Sequence, residues 1–270
     1  MGGEMVLETQ APRLPSVAEA AERFFPLMIA GDAVALRALL APGAQIHQPL
    51  WGSTGFREVP AMVAQACGWL GAHRAAVEPV ATTVGDRRAV VEQLLELVLE
   101  GRRIRLPVAV VAERAAAGVV SVRTYHSTWP LTGGHLIRRP LLHPHPVMPL
   151  PDVVSEYQRA LSAGDLIAIV NTFEDDAYVR EPSGSQFVYR GRDQITAMYR
   201  SMFGNGGGIP LEHCSLTDDG VRCAIEYNCV RWGESPLPPQ AGVAVYARGK
   251  TARLSAARIY DDVEPPAGAH

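Results

Sequence analysis

The chain has 270 residues, 47% of them hydrophobic and 20% charged, with a formal net charge of -3 at pH 7. That composition supports a folded core, as one large domain or two of ordinary size, and excludes a disordered chain. Lys and Arg are scattered without a basic stripe, which argues against nucleic acid, and no apolar run is long enough to span a bilayer.

The N-terminal residues MGGEMVLETQAPRLP carry neither a basic start nor an apolar core, so no secretory signal is expected and residues 1–15 read as a tail. The cysteines are Cys67, Cys214, Cys223 and Cys229; none forms a CxxC pair, and a reduced, cytoplasmic protein is the expectation. From Arg23 the chain reads RFFPLMIAGDAVALRALLAPGAQIHQPLWGS, helical first and extended later. Strand alternation sends Ala44, Ile46 and Gln48 inward. Glu92, Glu96 and Glu100 form one row on a later strand and read as a solvated face.

The same text recurs. With Asp32 set against Asp165, AGDAVALRALLAPGAQIHQP lies over AGDLIAIVNTFEDDAYVREP without a gap. Further on, SVRTYHSTWPL lies over AARIYDDVEPP, which pairs Arg123 with Arg258 and Tyr125 with Tyr260. Two repeats are expected, over 16–133 and 151–266. They are joined at 134–150 by GGHLIRRPLLHPHPVMP and its flanks, whose prolines favour an extended linker. His143 and His145 in that linker are held apart by proline and no ligand cluster follows, so no metal is expected.

In the second repeat Val153, Val154, Tyr157, Ala160 and Leu161 share a helix face. Gly164 ends that helix and Asp165 caps the next. Ala177 to Glu181 is a short strand, and Arg192 to Phe203 a third helix. Four strands follow, over 211–217, 221–232, 241–248 and 253–261, with a turn at Asp218–Gly220. Helices followed by consecutive strands give α+β, with helices on one face of a curved, mostly antiparallel sheet. GNGGGIP, before the first of these strands, lacks the Lys-Ser/Thr of a phosphate loop and reads as a flexible connection at the cavity mouth.

Alternation carries Glu181 inward with Ala177 and Val179, where an apolar residue is the ordinary choice. Burial raises a carboxyl toward the ~6–7 useful to a general base. Two inward tyrosines, Tyr157 and Tyr199, come from different helices and can donate to an oxygen that gains charge. The ordinary reading of each is a satisfied core residue. Glu226, Asn228 and Trp232 share a strand face that lines either the cavity or the contact between sheets; the sequence leaves both open.

These residues resemble a family. VVSEYQRALSAGDLIAIVNTFEDDAYVREPSGS, followed by YRGRDQITAMY, is similar to the bacterial ketosteroid isomerases and the wider SnoaL-like, NTF2-like superfamily. The resemblance covers most of the second repeat and, more weakly, the first. It implies two tandem NTF2-like cone folds and no cofactor. It also implies that Tyr157 donates to a substrate oxyanion, Glu181-Pro182 shuttles the proton, and Tyr199 supports Tyr157. The isomerases' second oxyanion donor, a protonated acid, falls near Val243, where no acid stands. Phe173, Phe203, Asn228, Trp232 and Val243 are expected at the substrate.

The first repeat places Phe24, Gln48 and about Val63 at the three functional positions and reads as catalytically silent. Single-domain relatives pair through their sheets, so the fused repeats are expected to form that pair internally; the sequence leaves open a further homodimer. The expected function is an isomerase, cyclase or epoxide-opening enzyme on a small hydrophobic carbonyl or epoxide compound, in secondary, steroid or polyketide metabolism. The second reading is a non-catalytic module that binds a hydrophobic small molecule or a protein partner.

Overall fold

The computed structural model describes residues 15–265. The expected tail over 1–15 lies outside these residues but for its last, as does residue 266. The first helix, α1 (Val17–Ala30), is capped by the Ser16 side chain, which accepts from the Glu19 amide. Gly31 then takes a left-handed φ of 70°, and Asp32 caps α2 (Ala33–Ala38) through the Ala35 amide. The second half repeats this step. Gly164 (φ 69°) ends α5 (Asp152–Ala163), and Asp165 caps α6 (Leu166–Asn171) through the Ala168 amide. The AGD motif is thus a stop and a start in three residues: glycine for the left-handed turn, aspartate for the next helix's unpaired amides.

The first sheet contains β1 (Gln45–Gln48), β2 (Gly52–Gly55), β3 (Ala76–Val84), β4 (Arg88–Leu99), β5 (Arg102–Ala115) and β6 (Gly118–Tyr125), in the order β2-β1-β6-β5-β4-β3. Helix α3 (Val59–Ala72) lies between β2 and β3, and a short α4 (Trp129–Thr132) follows β6. The second contains β7 (Phe173–Arg180), β8 (Val188–Arg190), β9 (Leu211–Asp218), β10 (Arg222–Trp232), β11 (Ser235–Arg248) and β12 (Leu254–Tyr260), in the order β8-β7-β12-β11-β10-β9. Helix α7 (Gly191–Met202) lies between β8 and β9. The two strand orders coincide, and each sheet is antiparallel except for one parallel pair, β1–β6 or β7–β12. The chain is two tandem α+β units, each with helices packed on one face of a mostly antiparallel sheet. The short strands β2 and β8 and helix α4 had no sequence expectation; β7 and β11 start several residues earlier than expected.

Helices cover one face of each sheet and form its own core. The other faces meet, joined by Val90, Ala109, Val111 and Tyr125 from the first and Ala224, Val243, Val245 and Tyr260 from the second. Two matching ion pairs sit in this contact. Arg123 Nε and Nη2 grip Glu226 at 2.6 and 2.8 Å, and Tyr125 donates to the same carboxylate at 2.7 Å. Arg258 grips Glu92 at 2.6 and 2.7 Å, and Tyr260 donates at 2.6 Å. Burial would push Glu226 up, but the Arg123 guanidinium, with Ser215 and Tyr125, holds it below the usual range.

Glu92 therefore departs from the solvated face expected of it: it is 0% exposed. The row Glu92–Glu96–Glu100 does share a face, but β4 emerges from beneath the second sheet along its length, so only its far end reaches solvent. Glu96 is partly exposed beside Arg105, and Glu100 is exposed. Among the described residues no helix is long and apolar enough to cross a membrane.

Candidate active site

A pocket opens into the second cone between α5, α7 and the helix-facing side of its sheet. It holds about 830 Å³ of empty space, mouth included, and its walls are largely apolar: Leu161, Val179, Met198, Met202, Ile209, Trp232 and Ile259. Tyr157, Tyr199, Tyr227, Tyr246, Glu181 and Asp261 are the polar groups at its centre.

The phenols come together from three elements: Tyr157 from the buried face of α5, Tyr199 from that of α7 and Tyr246 from β11. Tyr157 and Tyr199 are 2.7 Å apart, oxygen to oxygen. The Tyr246 ring lies 4.9 Å from the Tyr157 ring, tilted by 53°, and its hydroxyl accepts from Gln158 Nε2 at 2.6 Å. Burial pushes Tyr157 up to about 12, against the pull of the neighbouring Tyr199 and Tyr246 hydroxyls. Tyr199 and Tyr246 stand well above the usual phenol range, burial being the main cause. Either hydroxyl of the Tyr157–Tyr199 pair can be the donor; where Tyr199 donates, the Tyr157 hydrogen is left for the pocket.

Glu181 follows the last residue of β7, where its amide donates to Phe187 O at 3.0 Å. Burial pushes its carboxyl up to about 7; the Tyr189 hydroxyl lowers it and the Asp261 charge raises it. Asp261 follows β12 and accepts from the Tyr227 hydroxyl at 2.6 Å. Burial pushes it up to about 6, against the pull of Tyr227 and the Val263 amide, while the Asp262 charge adds to the rise. Gly242, directly across from Tyr227 on β11, makes room for this pair. A Cβ there would stand 2.7 Å from both the Asp261 Cβ and the Tyr227 ring.

The structure thus brings Glu181, Tyr157, Tyr199 and Trp232 into one pocket. It corrects the other expected contacts. Phe173 and Phe203 stand behind the phenols, with ring centroids 5.8 Å from Tyr157 and 5.8 Å from Tyr199 respectively, and support them without lining the pocket. Asn228 and Val243 point to the opposite sheet face, Asn228 toward Leu142 O and Val243 into the contact between halves. Trp232 would share the face of Glu226 and Asn228 by strict alternation, but the register of β10 shifts between Cys229 and Arg231, and this turns Trp232 into the pocket. The GNGGGIP segment is not loose: Ile209 donates to Leu161 O, and Gly208 lies so close to the end of α5 that a Cβ would collide with backbone.

Sequence reasoning missed Asp261, Tyr227 and Tyr246. The signal was present. Once Arg258 and Tyr260 face the other half, Asp261 must face the cavity, and Tyr227 beside Glu226 likewise. The acid sought near Val243 is therefore absent from that strand, while another strand end supplies one. Among the described residues no group of three or more His, Cys, Asp or Glu side chains gathers as a metal site.

Residues 154–261 match the model of the SnoaL-like domain. The match falls within the second half of the chain, and the first half repeats the topology of the second. Among solved structures, the epoxide hydrolase/cyclase-like enzyme SalBIII, of pyran ring formation in polyether salinomycin, is 22% identical over 40% of this chain and 87% of its own, with a TM-score of 0.34. A SnoaL-like protein of unknown function from Burkholderia thailandensis is 20% identical over 40% of this chain and 90% of its own, with a TM-score of 0.33. A protein with a ketosteroid isomerase-like fold from Catenulispora acidiphila, in complex with trimethylamine, is 14% identical over 44% and 92%, with a TM-score of 0.36.

Proposed function

We propose that the second half is a cofactor-independent general acid–base enzyme acting on a small, mostly apolar carbonyl or epoxide compound, in secondary, steroid or polyketide metabolism. One observation carries the reading: two carboxyls raised by burial, Glu181 and Asp261, share an apolar pocket with the hydrogen-bonded phenols Tyr157 and Tyr199. Glu181 takes or returns the substrate proton. Tyr157, backed by Tyr199 and Tyr246, stabilises the oxygen that gains charge. Asp261 is the complementary carboxyl: near neutral pH one member of the pair is protonated while the other is ionised. Isomerisation of a double bond, ring closure and epoxide opening each need a base at one atom and a donor at another. Among the described residues no Lys, Arg or His lines the pocket, which suits a substrate whose reacting part carries no negative charge.

The test measures turnover of β,γ-unsaturated ketones and hydroxy-epoxides against pH. The parent should give a narrow bell with limbs near 6 and 7, the values of Asp261 and Glu181. Asp261→Asn should leave a single limb, moved to lower pH because Glu181 loses a neighbouring charge that raises it. If Glu181→Gln turns over any of these substrates as fast as the parent, the base assignment fails and a non-catalytic binding module takes its place.

A further inference from the structure

Asp262 stands where the two halves meet at the exits of β6 and β12. It is the repeat equivalent of Ser127, and these two residues touch: Ser127 Oγ donates to Asp262 Oδ1 at 2.6 Å. Thr128 Oγ1 donates to Oδ2 at 2.5 Å and the Leu136 amide to the same oxygen at 2.8 Å. His135 Nδ1 lies 3.0 Å from Oδ1. All four partners come from residues 127–136, where the first half ends and the linker begins. Burial would push Asp262 up, but His135, Ser127, Thr128 and the Leu136 amide together hold it below the usual carboxylate range.

The neighbours of Asp262 go the other way. Beyond β12 the chain keeps a strand's alternation: Asp261, Val263 and Pro265 line the pocket, while Asp262 turns to the first half. One wall of the site is therefore a strap without a sheet partner of its own in this stretch, held by two side chains: Asp261 by Tyr227 within the second half, and Asp262 from the other side. We infer that the first half positions the second half's site through this clamp: Ser127, Thr128 and His135 are positioning residues that hold Asp261 in the pocket. The catalytic meaning of the clamp rests on the acid–base reading above; the clamp itself does not. It gives the silent repeat a use beyond covering a sheet.

Carboxyl-labelled NMR of the full chain tests this without turnover. Asp261 and Glu181 are assigned with Asp261→Asn and Glu181→Gln, then titrated in the parent, in Ser127→Ala/Thr128→Val and in Thr128→Val alone. These variants keep the Asp262 and His135 charges and the other groups that face Asp261: Glu181, Tyr227, Cys229 and Tyr246. With the clamp weakened, water reaches Asp261, and its midpoint should fall from about 6 by about one pH unit, while Glu181 moves less. 4-Nitrophenol, added as a probe, should bind more weakly in the double variant. If the double variant does not fold, Thr128→Val alone, which removes one partner of four, decides the matter. An Asp261 midpoint unchanged in the folded variants would overturn the inference, whatever the outcome for catalysis.

Discussion

Where the second half has Tyr157 on its first helix, the first half has Phe24; where the second has Glu181 at the end of β7, the first has Gln48 in β1. Register carries the comparison through the sheet. Tyr246 is matched by Ala112, Tyr227 by Gln93 and Asp261 by His126, and in the sequence Tyr199 falls at about Val63 on the third helix of the first half. All six first-half residues are buried. None is a carboxyl or phenol, and burial pushes His126 down to about 4, so it is neutral at pH 7. The contact between halves shows the opposite pattern, since Arg, Tyr and Glu recur there on both sides. One scaffold has kept its pairing surface twice and its polar interior once. Sheet pairing needs both copies of a surface, whereas a polar interior costs stability and is useful only where chemistry is done.

The largest break in this comparison should come from Glu181→Gln. It keeps size and hydrogen-bonding reach but removes the base, and general-base assistance is worth roughly 10²–10⁴ in rate. Steady-state rates of parent and variant on one substrate measure it. The shared surface should respond alike from either side. Glu92→Ala leaves Arg258 buried without its partner, and Glu226→Ala does the same to Arg123, so each should cost about 3–5 kcal/mol in denaturant unfolding. A loss at one site only would mean that the two ion pairs are not equivalent. Tyr157→Phe should cost about 10²–10³ through the lost oxyanion donor. Tyr199→Phe should cost less, because it acts through Tyr157.

A smaller effect concerns stability and pH. Burial raises the folded-state Glu181 value from 4.5 to about 7, so the fold binds this proton more tightly than the unfolded chain. The contribution is fully present below 4.5 and is lost as pH rises through about 7. Glu181→Gln should therefore be more stable than the parent at pH 8, by about 1–3 kcal/mol, and nearly equal to it at pH 4. Urea unfolding at the two pH values reads the difference. Equal stability at pH 8 would mean that Glu181 is well solvated in the fold.

Much of this was legible in the residues. The duplication, the AGD step and the inward turn of Glu181 and Tyr157 follow from local rules: glycine for a left-handed cap, aspartate for bare amides, alternation along a strand. The misplaced residues share a different cause. Glu92 reads as solvated because a strand face cannot announce that another sheet will cover it. Trp232 reaches the pocket through a shift of register that no pattern in β10 marks. Val243 was aligned to a position where relatives hold an acid, while the acid here comes from the end of β12. Asp261 could have been found from Arg258 and Tyr260, but only once those two were known to face the other half. Local chemistry was readable; the partner of each face was not.

The smallest expected effect lies in the silent half, at Gln48. Its Nε2 donates to the Met62 sulfur at 3.1 Å, a weak acceptor, and its buried Oε1 has no protein partner. An amide in that state contributes little and leaves its oxygen's desolvation uncompensated. Gln48→Met fills similar volume with an apolar chain and should leave stability unchanged or raise it by about 1 kcal/mol. Gln48→Ala removes volume and should lower stability. Both should leave turnover within a few-fold of the parent, since Gln48 takes no proton at neutral pH. A large loss of rate in Gln48→Met, with the unfolding midpoint preserved, would place chemistry in the first cone and end the division of labour between the halves.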